Sequence, residues 1–334
     1  MKKTLALILA VAMACSLLLT GCGGSSGAGS ASGSAAGSAA KQSLTLGTGG
    51  TTGTYYAVGG VMSTVLGDKL SLSSLTVTST GASKANIQLI ADGEADLAIV
   101  QNDVMYYANT GTDLFEAEGK YDSFSAVCGM YDETVQLITT NANIKSVEDL
   151  KGKTVCVGDA GSGTEFNAKQ VLDVYGLSFD DIKVVNASFG DSTDSLKDGK
   201  IDAAFIVAGA PTTAVVDLST NSDVYIINID DEHSSKLMED YPFYTKTTIP
   251  AGTYDGQEED AQTVSVRATL IASNELSEDV VYELVKAMFD NKDELVAGHE
   301  KFNNLKLEEA TAGISVPFHP GAVKYFQEQN IEVK

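Results

Sequence analysis

The chain has 334 residues, 43% of them hydrophobic and 20% charged, and its 45 acidic against 22 basic residues leave a formal charge of −23. That length exceeds one ordinary domain of ~100–200 residues. The acidity excludes nucleic acid and an anionic membrane surface as partners, because no basic patch is available to meet either.

The first segment stands apart from the fold. Lys2 and Lys3 precede a mostly apolar run from Leu5 to Leu19, which closes on Leu19-Thr20-Gly21-Cys22. This reads as a secretory signal over residues 1–21. Its end resembles the lipobox of bacterial lipoproteins, in which the cysteine, here Cys22, becomes the lipid-bearing first residue. An ordinary signal cleaved nearby, or an uncleaved anchor, is the other reading, though the run is short for a span of ~20 residues. Residues 22–41 are almost entirely Gly, Ser and Ala, a composition that buries no core and reads as a flexible tether. Loss of Lys2 and Lys3 takes the mature chain to −25.

The body begins near Gln42 with an expected strand, Ser43-Leu44-Thr45-Leu46, and a glycine-rich turn, Gly47-Thr48-Gly49-Gly50-Thr51-Thr52-Gly53-Thr54-Tyr55-Tyr56. Ala57, Val58, Val61, Met62, Val65 and Leu66 then recur at helical spacing and predict an amphipathic helix that stops at Gly67. A strand at Leu75–Thr78, a helix through Asn86, Ile87, Leu89 and Ile90, and a strand at Asp96–Val100 follow, delivering Gln101-Asn102-Asp103. Alternating strand and helix implies a parallel sheet with ligand sites at the strand C-termini.

Strand-like runs at Phe124–Cys128 and Thr134–Thr139 follow, the second placed to cross between two lobes. Ser146 to Leu150 reads as a capped turn. Lys153–Val157 then leads to a second glycine-rich turn, Ala160-Gly161-Ser162-Gly163-Thr164-Glu165, at the start of another helix. Strands are expected at Ile182–Val185, Ala203–Val207 and Val224–Ile229. A return crossing is expected around Ala268–Ile271, before an amphipathic helix carrying Val280, Val281, Leu284, Val285, Met288 and Phe289.

The second lobe repeats the first. Asp92-Gly93-Glu94-Ala95-Asp96-Leu97-Ala98-Ile99-Val100 aligns without a gap to Asp198-Gly199-Lys200-Ile201-Asp202-Ala203-Ala204-Phe205-Ile206. Four identities can arise because helix-Gly-strand junctions reuse one turn chemistry; the shared order of elements favours pseudo-symmetry. The expected fold is α/β and two-lobed, with two parallel-rich sheets joined by two crossover strands. Lobe I takes residues 42–135 plus 266–334, and lobe II residues 136–265. Two crossings make a hinge on which the lobes close.

Each glycine-rich turn places unpaired backbone N–H groups at a helix N-terminus, where anions bind. Arg267 is the only arginine, so a bound anion is held mainly by amides and hydroxyls. His233, His299 and His319 share no ligand spacing, and neither a metal nor a cofactor is expected. Cys128 and Cys156 are expected to be separate buried thiols, although pairing is possible outside the cell.

The runs Leu46 to Gly50 through Tyr55-Tyr56, Gly81-Ala82-Ser83 with Asn86, and Gly93 to Asp103 resemble the TAXI class of TRAP transporter solute receptors. The resemblance continues through Leu150-Lys151-Gly152-Lys153, Gly161 to Glu165, Asp202 to Phe205 and Pro317 to Ala322, and covers nearly all of the chain after the tether. Ala82 departs from it, since the family often has a second glycine there. The resemblance implies a type II periplasmic-binding-protein fold and extracytoplasmic capture of a small organic acid, glutamate, glutamine or a related dicarboxylate. It also implies delivery to a TRAP-type membrane permease. The expected protein is a monomeric, non-enzymatic receptor anchored by lipid to the outer face of the bacterial cell membrane.

Candidate ligand residues follow from both readings. Ser162, Gly163 and Thr164 offer hydroxyl and amide donors to a carboxylate, and equally suit a helix cap; Gly50, Thr51 and Thr54 carry the same two readings. Tyr55 and Tyr56 point in different directions on a helix, and the family resemblance favours Tyr55 in the cleft. Gln101 ends a strand, while Asn102 and Asp103 suit a cap of the next helix. Pro211 and Tyr244 are candidates for the facing wall. Arg267 is either a carboxylate clamp or structural, and His319 reads as structural.

Other functions fit less well. Gly161-Ser162-Gly163 lacks the G-x-S-x-G elbow, no histidine stands where a catalytic base is needed, and a dinucleotide fingerprint at Gly47 to Gly53 is only approximate. The nearer rivals are an ABC-type receptor for phosphate or another oxyanion, which a Gly-Ser-Gly-Thr helix start suits equally, and a non-transport ligand-sensing lipoprotein.

Overall fold

The computed structural model describes residues 41–333; the expected signal, Cys22 and tether lie outside them. In chain order come β1 (Gln42–Gly47), α1 (Thr54–Leu66), β2 (Ser73–Thr78), α2 (Ser83–Ala91), β3 (Leu97–Gln101) and α3 (Asn102–Thr110). A long strand, β4 (Phe124–Thr139), leads to β5 (Thr154–Cys156), α4 (Gly163–Val174), β6 (Lys183–Val185), α5 (Phe189–Lys197) and β7 (Ala203–Ala208). Then follow α6 (Thr213–Ser219), β8 (Tyr225–Ile227), α7 (Asp231–Asp240), β9 (Thr245–Ile249) and a second long strand, β10 (Ala261–Ser273). The last helices are α8 (Glu278–Asp290), α9 (Lys292–Gly298) and α10 (Pro320–Glu328).

The strands form one hydrogen-bonded path, β2-β1-β3-β10-β4-β7-β5-β6, with β8 added on β4 and β9 on β10. At one end β1 pairs in parallel with β2 and β3, and at the other β5 pairs in parallel with β6 and β7. In each triplet the first strand in sequence lies in the middle and the third lies inside, against a long antiparallel strand. The two-lobed α/β architecture is therefore present, and its two crossover strands pair with each other along their length.

The sequence repeat is a structural repeat. Gly93 and Gly199 both end a helix with positive φ, 73° and 66°, the left-handed conformation that glycine adopts without a Cβ penalty. Three residues on, the Asp96 carboxylate accepts from Thr45 N–H at 2.7 Å, and the Asp202 carboxylate accepts from Thr154 N–H at 2.8 Å. Both aspartates thus pin the start of the third strand to the first. Their spacing from the glycine follows from that shared task.

Residues 124–128 and 134–139, expected as separate runs, belong to the single strand β4. Two register shifts against β10, between Ala268 and Thr269 and between Leu270 and Ile271, accommodate extra residues on β4. Such bulges bend and twist a strand locally and re-aim the side chains beside them. Every residue of β4 except Asp132 is buried, because helices cover both faces of the sheet. One apolar core draws on residues 44–131 and 268–326, and two others draw on residues 135–266. Cys128 and Cys156 are unpaired and buried in different cores.

Ala82 precedes α2 with φ 66° and ψ −145°. A side chain is strained in this region at a cost of roughly 1–3 kcal/mol, whereas glycine is at home there. Ala82→Gly should therefore raise the stability of the fold by about 1 kcal/mol, after the ~0.4–1 kcal/mol that glycine's freedom in the unfolded chain removes. Denaturant unfolding of the two proteins checks this, and a less stable variant contradicts it.

Candidate functional site

Four βα turns meet at one cavity. The turn after β1 contributes Gly49, Gly50 and Gly53 with Thr54 and Tyr55 of α1, and the turn after β2 contributes Ala82 and Ser83. The second triplet answers with Asp159, Ser162, Gly163 and Thr164 after β5, and with Phe189 at the start of α5. Gln101, Glu133, Val207 and Ala208, from β3, β4 and β7, complete a space of about 490 Å³ that includes its mouth. The strand C-termini of both triplets thus point their helix starts at one place, where α/β sheets hold ligands.

The amides there are partly spent. Ser162 Oγ accepts from Glu165 N–H at 3.1 Å, and Glu165 turns back to accept from Gly161 N–H at 2.7 Å. Among the described residues this leaves Gly163 and Thr164 N–H without a protein acceptor, as are Thr54 and Tyr55 N–H at α1. Both helices exceed three turns, so their partial positive charge falls on this cavity. Among the described residues, no lysine, arginine or histidine lines it.

The acidic side chains are a different matter. Glu133 is 2% exposed and accepts from Tyr55 Oη at 3.0 Å. Burial pushes its carboxyl up to about 8, Asp103 pushes the same way, and the Tyr55 hydroxyl and Gln101 amide oppose them. Burial likewise raises Asp159, with Asp191 adding to it. Gln101 is also 2% exposed, its N–H donates to Ser83 Oγ at 3.1 Å, and its side-chain Oε1 has no partner. A Cβ on Gly163 would lie 1.8 Å from that oxygen, so any other residue there would push the Gln101 side chain away from the start of α4.

Of the candidate residues, Gly50, Thr54, Tyr55, Gln101, Ser162, Gly163 and Thr164 line this cavity. Three others do not. Thr51 is exposed at the crown of its turn, and Pro211 is exposed beyond β7, following a cis peptide bond. Tyr244 is buried elsewhere, its hydroxyl accepting from Asn167 at 2.7 Å and donating to Gln170 at 2.6 Å. Asn102 and Asp103 do not cap α3: Asn102 accepts from Arg267 N–H and donates to Gly313 O, and Asp103 accepts from Asn167 at 3.0 Å. Arg267 lies in a separate groove beside Asp132, Tyr106 and Phe243. His319 is buried and caps α10, accepting from Gly321 N–H at 3.2 Å. The sequence reading missed Glu133, Asp159 and Phe189. A strand-end rule points to Asp159, which follows β5 by three residues; Glu133 was obscured by the divided reading of β4.

The two triplets touch around the cavity. Thr54 Oγ1 donates to Gly209 O at 3.1 Å, Ala214 N–H donates to Thr52 O at 3.3 Å, and Lys301 donates to Ala210 O. A buried chain of Asp103, Asn167, Tyr244, Gln170 and Tyr107 joins α3 to α4.

With this geometry in place, the family comparison is decisive. A model of the NMT1-like family matches residues 46–329. This chain belongs to the NMT1-like family. The matched stretch takes in both glycine-rich turns and all four helix starts at the cavity. Among solved structures, a protein of Bordetella bronchiseptica RB50 is similar at 16% identity over 86% of this chain and 82% of that one, with a TM-score of 0.52. The periplasmic aliphatic sulphonate binding protein SsuA from Escherichia coli is similar at 16% identity over 86% and 83%, with a TM-score of 0.45. The P235GK mutant of ArgBP from T. maritima is similar at 15% identity over 78% and 95%, with a TM-score of 0.49. At such identities the likeness is one of fold. Among the described residues no helix is long and apolar enough to cross a membrane, and no group of three or more His, Cys, Asp or Glu stands together as a metal site.

The raised carboxyl of Glu133 has a consequence for stability. It keeps its proton up to about 8 in the fold but only to 4.5 in the open chain. Between those values the folded state binds more protons, so stability falls as pH rises, by at most about 1.4 kcal/mol per pH unit for one group. Asp103 acts likewise between 3.8 and about 6. Glu133→Gln should flatten the decline between pH 6 and 8 in denaturant unfolding, and an unaltered slope contradicts the assignment.

Proposed function

We propose that this NMT1-like protein is an extracytoplasmic solute receptor that captures a small organic acid in the cavity between its two lobes and hands it to a membrane permease. The observation that carries the reading is the convergence of unpaired amides at the starts of α1 and α4 on one cavity, an arrangement that suits a carboxylate. Thr164 adds a hydroxyl, and Tyr55 forms a wall, while the Thr54 hydroxyl is spent on Gly209 O. The absence of a cation in the lining favours a site that works by short, aimed hydrogen bonds over one that works by long-range attraction.

The lobe division at 42–135 plus 266–334 against 136–265 belongs to the same proposal. So do the signal at 1–21, the tether at 22–41, lipid attachment at Cys22 and residence outside the cell. A TRAP-type permease as recipient, and glutamate, glutamine or a dicarboxylate as cargo, rest on the TAXI resemblance of the glycine-rich turns. In the mechanism we infer, solute bridging α1 and α4 favours the closed arrangement, in which Thr54 reaches Gly209 across the cleft. A ligand shifts such an equilibrium only by its differential affinity for the two states.

Thermal unfolding of the body from Gln42 onward, against amino acids, dicarboxylates and inorganic oxyanions, tests the reading. A solute at 100 times its dissociation constant adds ~2.7 kcal/mol. Stabilisation by a carboxylic acid, weakened about tenfold or more in Thr164→Val by loss of one hydrogen bond to a charged group, is the expected result. Stabilisation by phosphate alone would transfer the site to an oxyanion receptor.

A further inference from the structure

Helices α3 and α4 belong to different lobes in the division proposed above, and they meet through a buried polar cluster that is short of hydrogen. Asn167 of α4 spends its amide hydrogens, donating at 3.0 Å to Asp103 Oδ2 on α3 and at 2.7 Å to Tyr244 Oη. The chain then runs one way, with Tyr244 Oη donating to Gln170 Oε1 at 2.6 Å and Gln170 Nε2 to Tyr107 Oη at 3.3 Å. Two oxygens are left over on the pair already joined. Asp103 Oδ1 and Asn167 Oδ1 are both buried and neither has a partner, and both residues are 0% exposed. One proton answers for both oxygens. Carried on Asp103 Oδ1 it makes that atom a donor, and its donation to Asn167 Oδ1 lets acid and amide hold each other by two hydrogen bonds.

We propose that Asp103 and Asn167 form a proton-dependent latch between the lobes, a neutral acid–amide pair that favours the closed arrangement and weakens when Asp103 ionises. This rests on the solute-receptor reading, whose closure it regulates. The ionisable groups that act on Asp103, or on which it acts, are Tyr107 of α3, Asp113 after α3, Glu133 of β4 and Tyr244 before β9; none is cationic. Lys84 of α2, which packs on α3, is paired with Glu118 at 2.6 Å. Arg267 of β10 lies against Gly129 and acts on Cys128 and Glu309. An ionised Asp103 would therefore be a buried charge without a counter-ion. Closure takes one proton from solvent and forms the Asp103 O–H bond; opening gives the carboxyl to water and returns the proton. Burial pushes Asp103 from the ordinary 3.8 up to about 6, and hydration in the open form restores the ordinary value. The closed form thus binds more protons between these values. The closed-to-open ratio falls as pH rises from 4 to 6, at most about tenfold per unit, and solute retention falls with it.

The test is spin-label distance measurement, without solute, on the full chain carrying Glu94→Cys and Lys200→Cys, exposed and equivalent positions of the repeat, with Cys15→Ser and Cys22→Ser so that only those two thiols are labelled. At pH 4.5 the ratio of short to long separations should exceed that at pH 7 by about tenfold or more. Asp103→Asn, checked for native circular dichroism, keeps an amide where the neutral acid stood. At pH 7 its ratio should exceed that of the Asp103 chain by about tenfold or more, whereas an Asp103 that works as a carboxylate gives a lower ratio. Glu133 and Asp159, whose carboxyls burial also raises, remain in both chains and do not alter this comparison. A ratio that is unchanged or higher at pH 7 in the Asp103 chain, or one no higher in Asp103→Asn, would overturn the latch and leave the receptor reading intact. One unchanging separation in every chain would overturn the latch together with lobe closure, while the thermal panel above still decides whether a solute binds.

Discussion

The pairing of β4 with β10 is the constraint on which the rest of the structure depends. Each strand is shared by the two lobes, and together they hold a parallel triplet on either side. Because the triplets have the same internal order, their strand C-termini and the helices that follow are brought face to face across the strand pair. A cavity ringed by four helix starts is the geometric result. The two bulges on β4 stand just before Glu133, so the strand that joins the lobes also sets the direction of the acidic group in the site.

The cavity proposed to bind an acid has no lysine, arginine or histidine among its described lining residues. A site that holds anions by arginine or lysine works at a distance and tolerates loose geometry. This one has helix amides on one side and buried carboxyl and amide oxygens on another, so selectivity depends on where donors and acceptors lie. In a low-dielectric enclosure each unsatisfied group counts heavily. The long-range field of a chain with formal charge −23 opposes the approach of an acid; short-range donors act only at contact, where salt does not screen them.

Much of the fold was legible in the sequence because it rests on local chemistry. Helix stops at Gly93 and Gly199, strand-pinning aspartates at Asp96 and Asp202, and glycine-rich helix starts at Gly50 and Gly163 each need particular residue types at fixed spacing. Glu133 was hidden for a different reason. With one run ending at Cys128 and the next beginning at Thr134, Gly129 to Glu133 fall between two expected strands, and only the continuity of β4 puts Glu133 in step with buried Val135 and Leu137. Tyr244 and Pro211 depended on tertiary placement alone: one side chain joins a hydrogen-bonded chain between α3 and α4, and the other sits on the surface. Ala82 was legible as a departure from a glycine, and its positive φ gives that departure its physical meaning.

A crystal structure of the body grown with saturating L-glutamate tests the central claim most directly. The account predicts an ordered solute between the lobes, its carboxylate within ~3 Å of the Gly163 and Thr164 amides. An ordered solute in the groove of Tyr106, Phe243 and Arg267, or an unfilled cavity at saturation, would contradict it.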